Sequence, residues 1–183
     1  MRRTVRQVGR WATLALAAMV AVAANAKDLA VGDAAPALLG KDRGGEAVDL
    51  AQHRGKVVIV TFWASWCGPC RRELPVLNEL QARAGDQWLR IIAVNVEDSQ
   101  DDYRAMMRQM RDFKLLLARD RNGDIAESYG VKAYPNLWMI DPRGNVRSHH
   151  VGYGDDSFAN IADEIRQLLN EEMQRQQAVA PAG

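Results

Sequence analysis

Residues 57–70 read Val57-Val58-Ile59-Val60-Thr61-Phe62-Trp63-Ala64-Ser65-Trp66-Cys67-Gly68-Pro69-Cys70. The first seven are all β-branched or aromatic and follow Gly55-Lys56, the pattern of a strand buried on both faces. A helix is predicted from Pro69 to about Ala84, with Leu74, Leu77 and Leu80 at helical spacing. Proline suits the first turn, where the amide it lacks would have no partner. Pro75 lies inside that helix and should kink it, because it removes a donor and crowds the preceding turn. The only two cysteines of the chain therefore fall where a buried strand hands over to a helix.

The order of elements can be read outward from this point. Residues 27–56 are rich in Gly, Asp and Ala, with a short strand expected near Ala47–Leu50. Trp88–Val96 is a second buried strand. Asp101–Met110 is a helix, and its Met106, Met107 and Met110 fall at the spacing of core packing rather than of a copper box. Lys114–Ala118 is a short strand, and Gly123–Tyr129 a short helix stopped by Gly130. Leu137–Ile140 and Asn145–Val151 form a hairpin over Asp141-Pro142-Arg143-Gly144. Asp155 or Asp156 caps a last helix with the stripe Phe158, Ile161, Ile165, Leu168 and Leu169, and Gln174–Gly183 is expected to fray. The order β-α-β-α-β-α-β-β-α predicts an α/β domain with a central mixed sheet and helices on both faces.

The N-terminal segment has the layout of an export signal. Arg2, Arg3, Arg6 and Arg10 precede an apolar run from Trp11 to Ala24, which closes on Ala24-Asn25-Ala26. The run is shorter than the ~20 residues that span a bilayer, so cleavage after Ala26 is expected, with an uncleaved anchor as the other reading. The expected organisation is a signal over residues 1–26, one domain over 27–177 and a flexible tail over 178–183. Loss of four arginines takes the formal charge from +1 to −3. A mildly acidic domain without a basic stripe does not suit nucleic acid. With 48 % hydrophobic residues, a core can form without disulfide staples.

The cysteine pair has a specific chemical use in this position. At the edge of a helix N-terminus, unpaired amides and the dipole favour a thiolate at Cys67, the attacking species in disulfide exchange. Cys70, three residues on, lies on the same helical face and is less exposed, so it can close a disulfide and resolve a mixed one. Zinc is disfavoured because it needs about four ligands. His53 could add a nitrogen, but His149 and His150 are adjacent on a strand and should point to opposite faces. A purely structural disulfide would close too small a loop to constrain the unfolded chain much. Copper(I) held by two thiolates is the more credible rival.

The stretch VIVTFWASWCGPCRRELP, residues 58–75, resembles the TlpA/ResA/DsbE (CcmG) group of thioredoxin-like, exported bacterial thiol-disulfide oxidoreductases. The likeness extends over VGDAAPALL, IIAVNVED, LLLARDRNGDIAESYGV and AYPNLWMIDPRGNV. It implies a thioredoxin-like fold with an N-terminal extension and an inserted helix and strand between Asp101 and Ala118. It also implies that Cys67 and Cys70 are the redox pair, with Cys67 the nucleophile, and that Pro135 is a cis-proline facing them. Trp66, Gly68, Pro69, Tyr134 and Pro135 would then contact the client, while Trp63 packs in the core. Glu73 matches a glutamate common in the group, either a proton shuttle near the edge of the site or a plain charge at the helix end. Thioredoxin places a buried aspartate where this chain has Thr61, so proton transfer would fall to Glu73 or water. Arg71 and Arg72 read as solvated helix surface.

The Gly-Pro dipeptide between the cysteines is that of thioredoxin, which poises at about −270 mV against about −120 mV for DsbA. The resemblance therefore implies a periplasmic monomer that reduces client protein disulfides, in apocytochrome c or a copper-assembly protein. Its electrons would come from a membrane thiol reductase, and no cofactor or resident metal is expected. The alternative reading is a copper(I) chaperone that uses the same two cysteines.

Overall fold

The computed structural model describes residues 28–154 and 157–179. The proposed signal segment and the capping Asp155 and Asp156 lie outside the described residues. The strands are β1 (Leu38–Asp42), β2 (Ala47–Asp49), β3 (Val57–Trp63), β4 (Leu89–Val96), β5 (Leu116–Asp120), β6 (Asn136–Ile140) and β7 (Val146–Val151). The helices are α1 (Gly68–Ala84), α2 (Gln100–Gln109), α3 (Asp124–Ser128) and α4 (Ser157–Val179). They build one seven-stranded sheet in the order β2-β1-β5-β4-β3-β6-β7. β3, β4 and β5 run parallel, whereas β6 is antiparallel to β3 and β7 to β6.

Every residue of β3 is buried, and the alternation of a strand sorts them between two cores. Val57, Ile59 and Trp63 face Leu74 and Leu77 of α1, Met110 beyond the end of α2, and Ile161, Ile165 and Leu168 of α4. Val58, Val60 and Phe62 face Leu39, Val48, and Ala126 and Tyr129 in and just after α3. The expected mixed sheet with helices on both faces is thus observed. Met106 and Met107 pack against the first core, as their spacing predicted. His149 stacks on Trp138 at 3.8 Å, while His150 meets Glu164 of α4 at 3.0 Å. The two histidines point to opposite faces, as the strand period requires.

The structure differs from the sequence reading in three places. β1 was not anticipated in Leu38-Leu39-Gly40-Lys41-Asp42, and it pairs antiparallel with β5 through Lys41 opposite Arg119. Gly40, at φ +100°, lies so close to this neighbour that a Cβ would come within 2.3 Å of the Arg119 carbonyl oxygen. α1 starts at Gly68, one residue before the predicted Pro69, and includes Pro75. α4 continues through Val179 rather than fraying from Gln174, helped by Arg175–Glu172 and Gln176–Glu172 pairs at helical spacing. No helix among the described residues is long and apolar enough to cross a membrane.

Candidate redox site

β3 lies beside β4, the middle strand of the sheet, and after it the chain turns through Ala64, Ser65 and Trp66 into α1. Cys67 is the N-cap of α1, and its sulfur accepts a hydrogen bond from the Cys70 amide at 3.2 Å. One of the amides left unpaired at a helix start is thereby aimed at sulfur. The two cysteines form a disulfide with Cα atoms 5.3 Å apart. Cys70 is fully buried, and Cys67 is 4 % exposed. Among the described residues no group of three or more His, Cys, Asp or Glu side chains is arranged to hold a metal ion.

An aromatic rim borders the disulfide. Trp66 is 64 % exposed, whereas Trp63 is wholly buried, which divides the two tryptophans as the sequence suggested. Trp66 meets Tyr134 edge-on, with ring centroids 5.8 Å apart. Tyr134 also packs against the core cluster that contains both cysteines. The Tyr134–Pro135 peptide is cis, and the Pro135 carbonyl accepts from the Gly152 amide at 2.8 Å. Residues 66–70 and 134–135, some 65 positions apart in sequence, thus meet at one end of the sheet. Arg71 and Arg72 are exposed, as expected.

Behind the disulfide lies a buried polar pair. Thr61 and Glu73 are 0 % and 1 % exposed, and the Thr61 hydroxyl donates to Glu73 Oε2 at 2.8 Å. Odd-numbered residues of β3 face α1, so position 61 lies opposite the helix face that carries Cys70, Glu73 and Leu77. Glu73 is therefore neither at the rim nor a solvated helix-end charge. Its carboxyl is pushed up to about 7 by burial, partly offset by the hydroxyl that Thr61 donates. Its other oxygen, Oε1, has no hydrogen-bond partner among the described residues. Tyr153 is shifted up mainly by its own burial, and secondarily by the charge of Glu73.

A second polar group holds the approach to Cys67, and the sequence reading missed it. The Asp98 carboxylate accepts from the Ser65 amide at 2.9 and 3.1 Å, the Ser65 hydroxyl at 2.8 Å and Asn95 Nδ2 at 2.7 Å. The Asp98 carbonyl in turn accepts from Arg119 at 2.9 Å. Burial, and then the charge of Glu97 and that of Asp120, push Tyr134 up to about 12. The available signal was an acid just past the carboxyl end of β4, the middle strand, where α/β sheets place their sites.

A sheet of this order, with a Cys-x-x-Cys disulfide at the start of the helix after β3, defines a thioredoxin-like protein. The chain belongs to the AhpC/TSA family, whose model matches residues 31–149. It is 33 % identical over 116 residues to the thiol-disulfide oxidoreductase ResA of Bacillus thuringiensis subsp. konkukian, covering 63 % of this chain and 66 % of that protein's length. It is 36 % identical over 124 residues to the thioredoxin-like protein YneN of Bacillus subtilis, covering 66 % and 71 %. Among solved structures, a thiol:disulfide interchange protein DsbE from Chlorobium tepidum matches with a TM-score of 0.72 and 33 % identity. That match covers 78 % of this chain and 99 % of the other. The chain thus falls among thiol-disulfide oxidoreductases of the ResA/DsbE type, as the resemblance implied.

Proposed function

We propose that the protein is an exported reductase of client protein disulfides that works through Cys67 and Cys70. The observation that carries this reading is the buried disulfide at the start of α1, bordered by the exposed Trp66 and by Tyr134 next to a cis proline. In the reduced protein the Cys67 thiolate attacks one sulfur of a client disulfide. A mixed disulfide forms and one client thiolate leaves. Cys70 then attacks the Cys67 sulfur, the second client thiolate leaves, and the Cys67–Cys70 bond closes. The client gains two electrons, and a membrane thiol reductase returns two to this protein.

Cys70 must lose a proton to attack. Glu73, three residues on along the same helix face and held near neutral pH by burial, is the group assigned to take it. Trp66, Gly68, Pro69, Tyr134 and Pro135 form the docking edge. The clients are the haem-binding Cys-x-x-Cys-His segment of apocytochrome c, or the oxidised thiols of a copper-assembly protein. The working compartment is the periplasm, with residues 1–26 as the export signal, 27–177 as the domain and 178–183 as its tail, and the protein acts as a monomer.

A Cys70→Ser variant tests the reading, because it stalls the mixed disulfide on Cys67. Recovery of a periplasmic partner that dithiothreitol releases is the expected result. If no partner is trapped, and copper(I) binds stoichiometrically and blocks insulin reduction, the pair is a copper(I) chaperone site instead.

A further inference from the structure

The turn that delivers Cys67 to α1 is closed by one backbone bond, from the Cys67 amide to the Ala64 carbonyl at 3.1 Å. Ala64 is wholly buried just after β3. Ser65 and Trp66, between them, are half-buried and exposed. Their backbone is fixed from outside, by Asp98 in the loop after β4. Asp98 Oδ1 accepts from the Ser65 amide at 2.9 Å and from the Ser65 hydroxyl at 2.8 Å, and Oδ2 accepts from the same amide at 3.1 Å. The acid is itself held twice. Asn95, fully buried in β4, donates to Oδ2 at 2.7 Å. Arg119 donates to the Asp98 carbonyl at 2.9 Å, with its guanidinium 4.4 Å from the centre of the Tyr103 ring of α2.

We infer that Asp98 is a positioning residue for Cys67, whose carboxylate fixes the Ala64–Cys67 turn so that the Cys67 sulfur meets the Cys70 amide. That contact, at 3.2 Å, is the one that favours a thiolate at the helix start in the reduced protein. Where the sulfur lies depends on where Cys67 leaves the turn. The negative charge of the same carboxylate opposes a thiolate. Clamp and charge therefore act with opposite signs, and variants can separate them. The inference rests on the reading of Cys67 as the nucleophile of disulfide exchange.

The test compares wild type, Asp98→Ala, Asp98→Asn and Ser65→Ala of the full chain in the reduced state. Iodoacetamide labelling of Cys67 is followed by mass spectrometry across the pH range of thiol titration. Asp98→Ala should slow labelling at pH 7 about five-fold and move its midpoint to higher pH, a size within reach of one hydrogen bond to a charged atom. Asp98→Asn keeps an oxygen for Ser65. Its amide faces Asn95, whose Oδ1 has no hydrogen-bond partner among the described residues and accepts it once the Asn95 amide flips. This variant should stay within about two-fold of wild type. Labelling of Asp98→Ala at the wild-type rate or faster overturns the inference, as does equal slowing in both Asp98 variants. If Asp98→Ala does not fold, Ser65→Ala decides, since it removes the hydroxyl bond and keeps the charge. Labelling about two-fold slower supports the clamp, and an unchanged rate overturns it.

Hydrogen exchange decides the positioning separately from sulfur reactivity. The Cys67 amide, bonded to Ala64 within the turn, should exchange about five-fold faster in oxidised Asp98→Ala than in wild type or Asp98→Asn. Unchanged exchange overturns the role of Asp98. Equal labelling of the two cysteines in wild type defeats the reading of Cys67 as nucleophile instead, and the exchange rates still decide whether Asp98 holds the turn.

Discussion

Replacing Glu73 with glutamine separates the two things its burial does. The carboxyl keeps its proton up to about 7 in the folded protein, against an ordinary value of 4.5. Between these values the folded state binds more protons than the unfolded chain, so stability falls as pH rises. The contribution is fully present below 4.5 and lost once pH passes about 7. At ~1.4 kcal/mol per unit, this interval corresponds to a loss on the order of 3 kcal/mol. Glutamine does not titrate, so Glu73→Gln should lose about 3 kcal/mol less than wild type between pH 4 and pH 8. Urea unfolding of both oxidised proteins across that range measures the difference. His53 and His149 are both held below their ordinary value, chiefly by burial. They push stability the other way, but they are common to both proteins and cancel. The proton-transfer role makes a second demand. Resolution of the mixed disulfide by Cys70 should slow about ten-fold in Glu73→Gln, worth ~1.4 kcal/mol of transition-state stabilisation, and the rate should lose its inflection near pH 7. Parallel stability curves would refute the buried-carboxyl argument. An unchanged rate profile would leave Glu73 structural and send the proton through water.

Thr61→Val removes the hydroxyl that favours the ionised carboxylate, so the Glu73 carboxyl should titrate above its wild-type value, as read by carbon NMR of labelled glutamate. Asp98→Ala strands the Ser65 amide and hydroxyl and Asn95 Nδ2. It should cost about 2 kcal/mol in urea unfolding; a change within ~0.5 kcal/mol would mean that water replaces the carboxylate. In the reduced protein, iodoacetamide at pH 7 should label Cys67 much faster than Cys70. The Cys67 sulfur faces the Cys70 amide at the helix start, while Cys70 is wholly buried. Mass spectrometry that finds equal labelling of the two would sink the assignment of Cys67 as nucleophile.

The local signals in this chain were strong where one short stretch sufficed to express them. The unbroken run Val57–Trp63 specified a strand buried on both faces, and β3 is that strand. Cys67-Gly68-Pro69-Cys70 specified a helix start carrying two thiols on one face, and α1 begins there. The buried Trp63 and exposed Trp66 are as the family resemblance implied. The cis form of Pro135 came from family resemblance, because a Tyr-Pro dipeptide has only a weak preference of its own.

What escaped the sequence depends on partners distant in the chain. β1 is a strand because β5 offers it an antiparallel edge, and Gly40 permits the close approach; five residues containing Gly, Lys and Asp carry no such signal alone. Thr61 and Glu73 each read as a departure or a charge until strand and helix faced each other and closed a 2.8 Å hydrogen bond. Asp98 carries no local signal of a role, yet its carboxylate holds Ser65 across 33 positions of the chain. Residue type and spacing set which sulfur chemistry is possible, since they act through neighbouring atoms on one helix turn. Burial and cross-chain hydrogen bonds set the protonation of Glu73 and the shape of the docking edge, and these come into being only when sheet and helices pack.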